Sequence, residues 1–231
     1  MRRPSLPAPL ATLERVDDLR DRLRHVRWLG GGSGAGKSTI AARLAAENGL
    51  RLYRTDDAIQ RHVARADPRR HPLAHAFAAM GMDERWLRRS PAEMLATFHG
   101  YQGELFELIV EDLLALPSEP PILVEGFRLL PRLVAPLLRE PAGSGQAVWL
   151  IPTPVFRRAV FEARGSAWHG AYRTREPARA LENLLARDAL FTDQIEQDAR
   201  AAGLPIVQVE IGDPIDSTVD RVRQALDLPP G

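Results

Sequence analysis

The sequence predicts an α/β fold: one domain over residues 1–231, with five strands in a mainly parallel sheet and helices on both faces. Three observations carry that expectation. Short apolar runs alternate with helical stretches along the chain, as in strands joined by right-handed crossovers. A glycine-rich loop joins the first apolar run directly to a helix. With 231 residues, 45% hydrophobic and 26% charged, the chain can bury one sizeable core, while a second domain would be cramped.

Residues 1–24 read as an N-terminal extension and a helix. The first eight positions are proline-rich, and Leu13, Val16, Leu19 and Leu23 then follow a helical spacing. His25 to Leu29 is a short buried strand running into glycines. Ser38 to Asn48 is an alanine-rich helix that Gly49 stops. Leu50 to Arg54 is the second strand. Residues 58–116 are mostly helical, with breaks near Asp67–Pro72 and at Gly81. Pro91 opens a longer helix through Leu95, Phe98, Leu105, Ile109, Leu113 and Leu116. Ile122–Val124 is the third strand, Leu129 to Leu138 a helix, and Gly143–Gly145 a turn. Ala147 to Ile151 is the fourth strand. Two helices, Phe156 to Ala163 and Ala178 to Ala201, flank the loop Gly165 to Glu176. Ile206 to Val209 is the fifth strand, and Ile215 to Leu226 the last helix.

Composition excludes several function classes. A net charge of +1 offers no general attraction for nucleic acid or an anionic membrane. The absence of cysteine removes disulfides, thiolate metal sites and a cysteine nucleophile. The N-terminus lacks the apolar stretch of a secretory signal, and no run approaches the roughly 18 apolar residues of a membrane span. A soluble, cytoplasmic protein is expected. Of 31 basic residues only Lys37 is lysine. Arginine replaces lysine cheaply on most surfaces, but not where a compact ammonium sits among phosphate oxygens.

Lys37 stands in that setting. Gly31, Gly36, Lys37 and Ser38 meet the pattern G-x-x-x-x-G-K-[ST] between a strand and a helix. Over Gly31, Gly32, Ser33, Gly34, Ala35, Gly36, Lys37, Ser38 and Thr39, glycines let the backbone wrap phosphates and the helix start offers its amides. Lys37 would reach the β- and γ-phosphates of ATP, and the Ser38 hydroxyl would ligate Mg²⁺. The expectation is therefore a P-loop NTPase fold using ATP and Mg²⁺. With a single lysine, no Asn-Lys-x-Asp guanine motif exists, and no transporter-type Leu-Ser-Gly-Gly-Gln stretch occurs.

From about residue 25 onward the chain resembles the P-loop small-molecule kinases. These include nucleoside and nucleotide kinases, shikimate and gluconate kinases, chloramphenicol phosphotransferase and the zeta-toxin kinases. The loop matches fully. Thr55-Asp56-Asp57-Ala58-Ile59 is similar to the segment from which such kinases contact the acceptor. By register with an Asp-x-apolar pattern, the resemblance implies Asp57 as the base, with Asp56 one residue away. A carboxylate at the C-terminal end of a parallel strand could accept a hydroxyl proton there; the bland alternative is a helix N-cap made by Thr55 or Asp56. Glu125, in Val124-Glu125-Gly126, resembles the acid that ends the third strand in uridine-kinase-like and zeta-like proteins. It is a candidate to hold the metal through water or to bind substrate, or it pairs with an arginine.

Residues 165–176 resemble a lid, with glycine boundaries and arginine shoulders; Arg164 and Arg173 are the candidates to neutralise the transferring phosphoryl group. Arg187-Asp188 is either an ion pair or a further phosphate contact. His71 and His75 have metal-pair spacing without an acidic third ligand in that turn, so no metal is assigned to them. The expected activity is transfer of the γ-phosphate of MgATP to a hydroxyl of a small molecule. Residues 58–105 form the acceptor-binding region, with Phe77, Met80, Met82, Trp86, Phe98, His99 and Tyr101 as lining candidates. A nucleotide kinase with a phosphate acceptor and a non-catalytic ATP-binding regulatory module are the alternatives. No nucleic-acid or membrane partner is expected, and the oligomeric state is left open.

Overall fold

A computed structural model describes residues 16–139, 145–164 and 170–230. The first fifteen residues, most of the predicted 143–145 turn and the 165–169 part of the predicted lid lie outside them. The five strands are β1 (Val26–Gly31), β2 (Arg51–Arg54), β3 (Ile122–Glu125), β4 (Ala147–Pro152) and β5 (Ile206–Val209). They form one sheet in the order β2-β3-β1-β4-β5, and every pairing is parallel.

Strand residues alternate between two buried faces, so the sheet needs a cover on each side. On one face Trp28 and Trp149 pack with Phe106 and Ile109 of α7 (Phe106–Ala115) and with Phe191 and Ile195 of α10 (Pro177–Ala201). On the other, Leu29 and Leu150 meet Ile40 and Leu44 of α2 (Lys37–Glu47) and Val219 and Val222 of α11 (Ile215–Ala225). All twelve are buried to 2% exposure or less. Each such side chain stabilises the fold by about 1.5–3 kcal/mol relative to exposure. Among the described residues α1 (Val16–Arg22) adds Leu19 to the first face.

Several predicted helices are shorter than their apolar spacing implied. The stretch between β2 and β3 contains α3 (Ile59–Ala64), α4 (Pro72–Ala79), a π-helical turn (Glu84–Arg88), α5 (Pro91–Thr97), α6 (His99–Gln102) and α7. The long helix expected from Pro91 breaks first at Phe98, which is extended with ψ 112°, and again where Gly103 and Leu105 hold positive φ, 88° and 69°, a conformation no α-helix contains. The helix expected over Leu129 to Leu138 is reduced to α8 (Pro131–Val134) and a 3₁₀ turn (Ala135–Leu137). Pro136 has no amide to extend a longer ladder. The start of α5 follows its sequence: Ser90 and Glu93 form a reciprocal capping box.

The topology fixes where a ligand can sit. From β1 the chain crosses to β2 at one edge, returns through β3, and then places β4 on the other side of β1. Adjacent strands therefore part company above the C-terminal end of β1, which opens a crevice there.

Candidate functional site

Three segments meet at that crevice, the loop after β1, Asp56 just beyond β2 and Glu125 at the end of β3, and α9 (Pro154–Arg164), after β4, packs against the loop at Gly34. Gly36 caps α2 with φ 81°, a left-handed conformation that a side chain would strain. The turn aims the first amides of α2 into the crevice. Gly126, at φ 156°, lets β3 pass against Thr55; a Cβ there would come within 1.7 Å of Thr55 Oγ1. Glu125 and the Thr55–Asp56 turn are thereby held side by side.

Lys37 is buried, and its Nζ donates to the carbonyls of Gly31 (3.2 Å) and Gly32 (2.8 Å). The Ser38 hydroxyl donates to Glu125 Oε1 at 3.0 Å. Burial pushes the Glu125 carboxyl above its ordinary value, while Lys37 and the Ser38 hydrogen bond pull it back. A cavity of ≈ 180 Å³ is lined by Ser33 through Thr39 together with Asp56, Glu125 and Phe127. An ammonium, a hydroxyl and two carboxylates thus border one small polar space.

The two candidate carboxylates, Asp56 and Asp57, are placed differently. Asp56 borders the cavity and Asp57, one residue on, does not. In the turn that follows β2, adjacent side chains diverge, so one position decides which carboxylate enters. Capping is not the role of either: Ala58 holds the cap position of α3, with no side-chain hydrogen bond. The hard oxygen pair of Ser38 and Glu125 fits Mg²⁺, which takes few protein ligands and keeps waters or phosphate oxygens on its other positions.

A second cavity of ≈ 340 Å³ shares Gly34–Gly36 and Thr39 with the first and continues along Phe156, Val160, Val209 and Ile215, with Asp213 and Thr218 at its edge. Sequence reading missed it. The signal was an apolar residue in the first turn of each helix that follows β4 and β5, Phe156 and Ile215, a position where helices usually turn polar.

The lid candidates divide. Arg173 is exposed, on the 3₁₀ turn Gly170–Arg173, and does not line the cavity. The Arg164 side chain lies outside the described part. The arginine that reaches the loop is Arg157: it is buried, packs near Gly34, and donates to Thr192 Oγ1 at 2.8 Å. The 170–176 segment is docked on the helical stretch between β2 and β3. Gly170 packs on Trp86, Ala171 clusters with Leu87, and the Arg175 amide donates to Asp83 Oδ1 at 3.0 Å.

In the predicted acceptor region, Phe77, Trp86 and Phe98 are half-buried, while His99 and Tyr101 are core residues. The Tyr101 hydroxyl donates to Asp188 Oδ1 at 2.8 Å, with Ser33 of the loop as a further hydrogen-bonding neighbour. Tyr101 therefore braces the loop from beneath instead of lining an acceptor pocket. Arg187 and Asp188 form a buried ion pair at 2.6 Å, with the guanidinium over the rings of Trp86, Phe98 and Tyr101. His71 pairs with the buried Glu107, and no metal-binding group of three His, Cys, Asp or Glu side chains occurs among the described residues. Nor is any helix among them long and apolar enough to cross a membrane.

No protein-family model and no curated protein matches the chain. A solved structure described as an uncharacterized protein from Eubacterium ventriosum ATCC 27560 is similar over 87% of this chain and 97% of that one, at 12% sequence identity and a TM-score of 0.45.

Proposed function

We propose that this protein is a P-loop phosphotransferase that moves the γ-phosphate of MgATP to a hydroxyl of a small molecule. The observation that carries the reading is one cavity bordered by the chain's single lysine, by the Ser38–Glu125 pair and by Asp56. The loop amides and Lys37 would hold the β- and γ-phosphates, with Lys37 leaving the Gly31 and Gly32 carbonyls to do so. Ser38 and Glu125 would hold Mg²⁺, which supplies charge neutralisation on the phosphate oxygens. The apolar second cavity, continuous with the loop, has the walls and the few edge polar groups that suit a nucleobase. Asp56, facing the same space, would orient the acceptor hydroxyl and take its proton.

Titration calorimetry with MgATP tests the binding half. Wild-type protein is expected to bind, and Lys37→Ala and Lys37→Arg to lose at least tenfold in affinity, about 1.4 kcal/mol. Lys37→Arg fails because a planar fork replaces a point charge. ATP consumption over a panel of nucleosides, sugars and aminocyclitol or phenolic antibiotics, read by product mass, tests the transfer half. Tight MgATP binding with no acceptor-dependent turnover would instead indicate a nucleotide-controlled regulatory module.

A further inference from the structure

Behind Asp56 lies a chain of buried polar groups that the phosphate site does not use. Arg128 is 1% exposed and His62 0%. One terminal nitrogen of Arg128 donates to the Thr55 carbonyl, immediately before Asp56. The other lies 3.2 Å from His62 Nδ1. A guanidinium has no acceptor, so Nδ1 must accept, which places the ring proton on Nε2. That nitrogen then donates to Asp112 Oδ2 at 2.9 Å. Asp112 is held in turn by the Tyr53 hydroxyl at 2.6 Å and by Arg61 at 2.7 Å. The Nε of Arg128 is buried with no hydrogen-bond partner among the described residues. Among the described residues no carboxylate forms an ion pair with this arginine; Asp56 and Asp112 act on it as attractive charges.

A buried guanidinium without a paired anion is costly, and a buried acid in Glu125 stands on the far side of Asp56. We propose that Arg128 is a positioning residue for phosphoryl transfer: it anchors the Thr55–Asp56 turn and sets a fixed positive charge behind Asp56, with His62 and Asp112 holding Arg128 in place. This rests on the phosphotransferase reading. It adds that the orientation of Asp56 is set in part from Asp112 on α7, 56 positions away in sequence. It also gives a reason for a positive charge in so buried a position.

The test reads the coupling by nuclear magnetic resonance, without any acceptor. Asp56→Asn is expected to move the Arg128 side-chain Nε–H resonance and to speed exchange of that proton by about tenfold. Asp57→Asn, at the neighbouring exposed position, is expected to leave both unchanged. In the other direction, Arg128→Met is expected to shift the Asp56 backbone and carboxyl resonances at pH 7, and Arg128→Lys to shift them less. Equal effects of the two aspartate variants, or none from either, overturn the proposal. Should Arg128→Met fail to fold, the aspartate pair decides alone, since both positions are exposed. Calorimetry with MgATP on the wild-type protein checks the underlying reading separately. Failure to bind MgATP would sink the phosphotransferase assignment and leave the Asp56–Arg128 coupling as measured.

Discussion

At the scale of single residues, a few side chains carry the proposed chemistry, and they can be separated by what each touches. The place of Lys37 and Ser38 at the start of a helix was legible in the sequence, because the glycines before them have the spacing of a loop that could wrap a phosphate. Glu125 was legible because it ends a buried strand at the edge where ligands collect. The choice between Asp56 and Asp57 was not. Two adjacent acids in a turn differ only in direction, and direction depends on the Thr55–Gly126 contact, made across 71 positions. Nor could the sequence single out Arg128 or Arg157 among so many arginines, since their burial follows from packing. Once an acceptor is found, Asp56→Asn is expected to lower kcat by about 10²–10⁴ through loss of the base. Asp57→Asn should leave it within about threefold, the range of a surface charge change. Steady-state kinetics on the two variants decides it: a larger defect from Asp57 reverses the assignment, and two small defects point to a phosphate acceptor, which needs no base.

At the scale of elements, the strands were read more securely than the helices. All five strands fall within two residues of their expected ends, because each is short, apolar and bounded by polar or glycine residues. The helices between β2 and β3 were read too long, since apolar spacing continues through Gly103 and Leu105 although the backbone does not. The predicted lid shows the same limit. Its glycines and arginines were visible, but its partner was not: the 170–176 segment rests on the π-helical turn Glu84–Arg88 through Gly170 on Trp86 and Arg175 on Asp83. The hydrogen bond from the Arg175 amide holds the Asp83 carboxyl below its ordinary value. This contact is exposed, so its loss should cost little. Asp83→Ala is therefore expected to speed hydrogen exchange of the Arg175 amide by roughly fivefold, with α10 amides unaffected. If MgATP and acceptor slow that exchange in the wild-type protein, the segment closes on ligand; an identical rate with and without ligands would leave it a fixed strut.

At the scale of the whole molecule, the parallel sheet puts both its faces and its helical insertion out of water, and that has a consequence for pH. The insertion buries His99 between the rings of Phe77 and Phe98, beside Arg128. Burial, with the Arg128 charge behind it, pulls the imidazole from 6.5 down to about 4. His62 is lowered as well, again chiefly by burial. A histidine whose folded value lies below its unfolded one binds its proton more readily in the unfolded chain. Stability from such a group is present in full above about pH 6.5 and is lost as pH falls toward about 4. Between pH 7 and pH 5 the His99 contribution alone amounts to about 2 kcal/mol. Glu125 works in the opposite direction, because its carboxyl is raised in the folded protein and acid relieves that strain. The total acid slope therefore mixes signs, and a difference between two proteins isolates one group. His99→Gln, which cannot take up a proton, is expected to be less stable than the wild type at pH 7 but to lose about 2 kcal/mol less between pH 7 and pH 5. Urea unfolding of both proteins at the two pH values measures this directly. Parallel losses in the two would mean that His99 already titrates near its ordinary value in the folded state, and that the insertion opens to water around it.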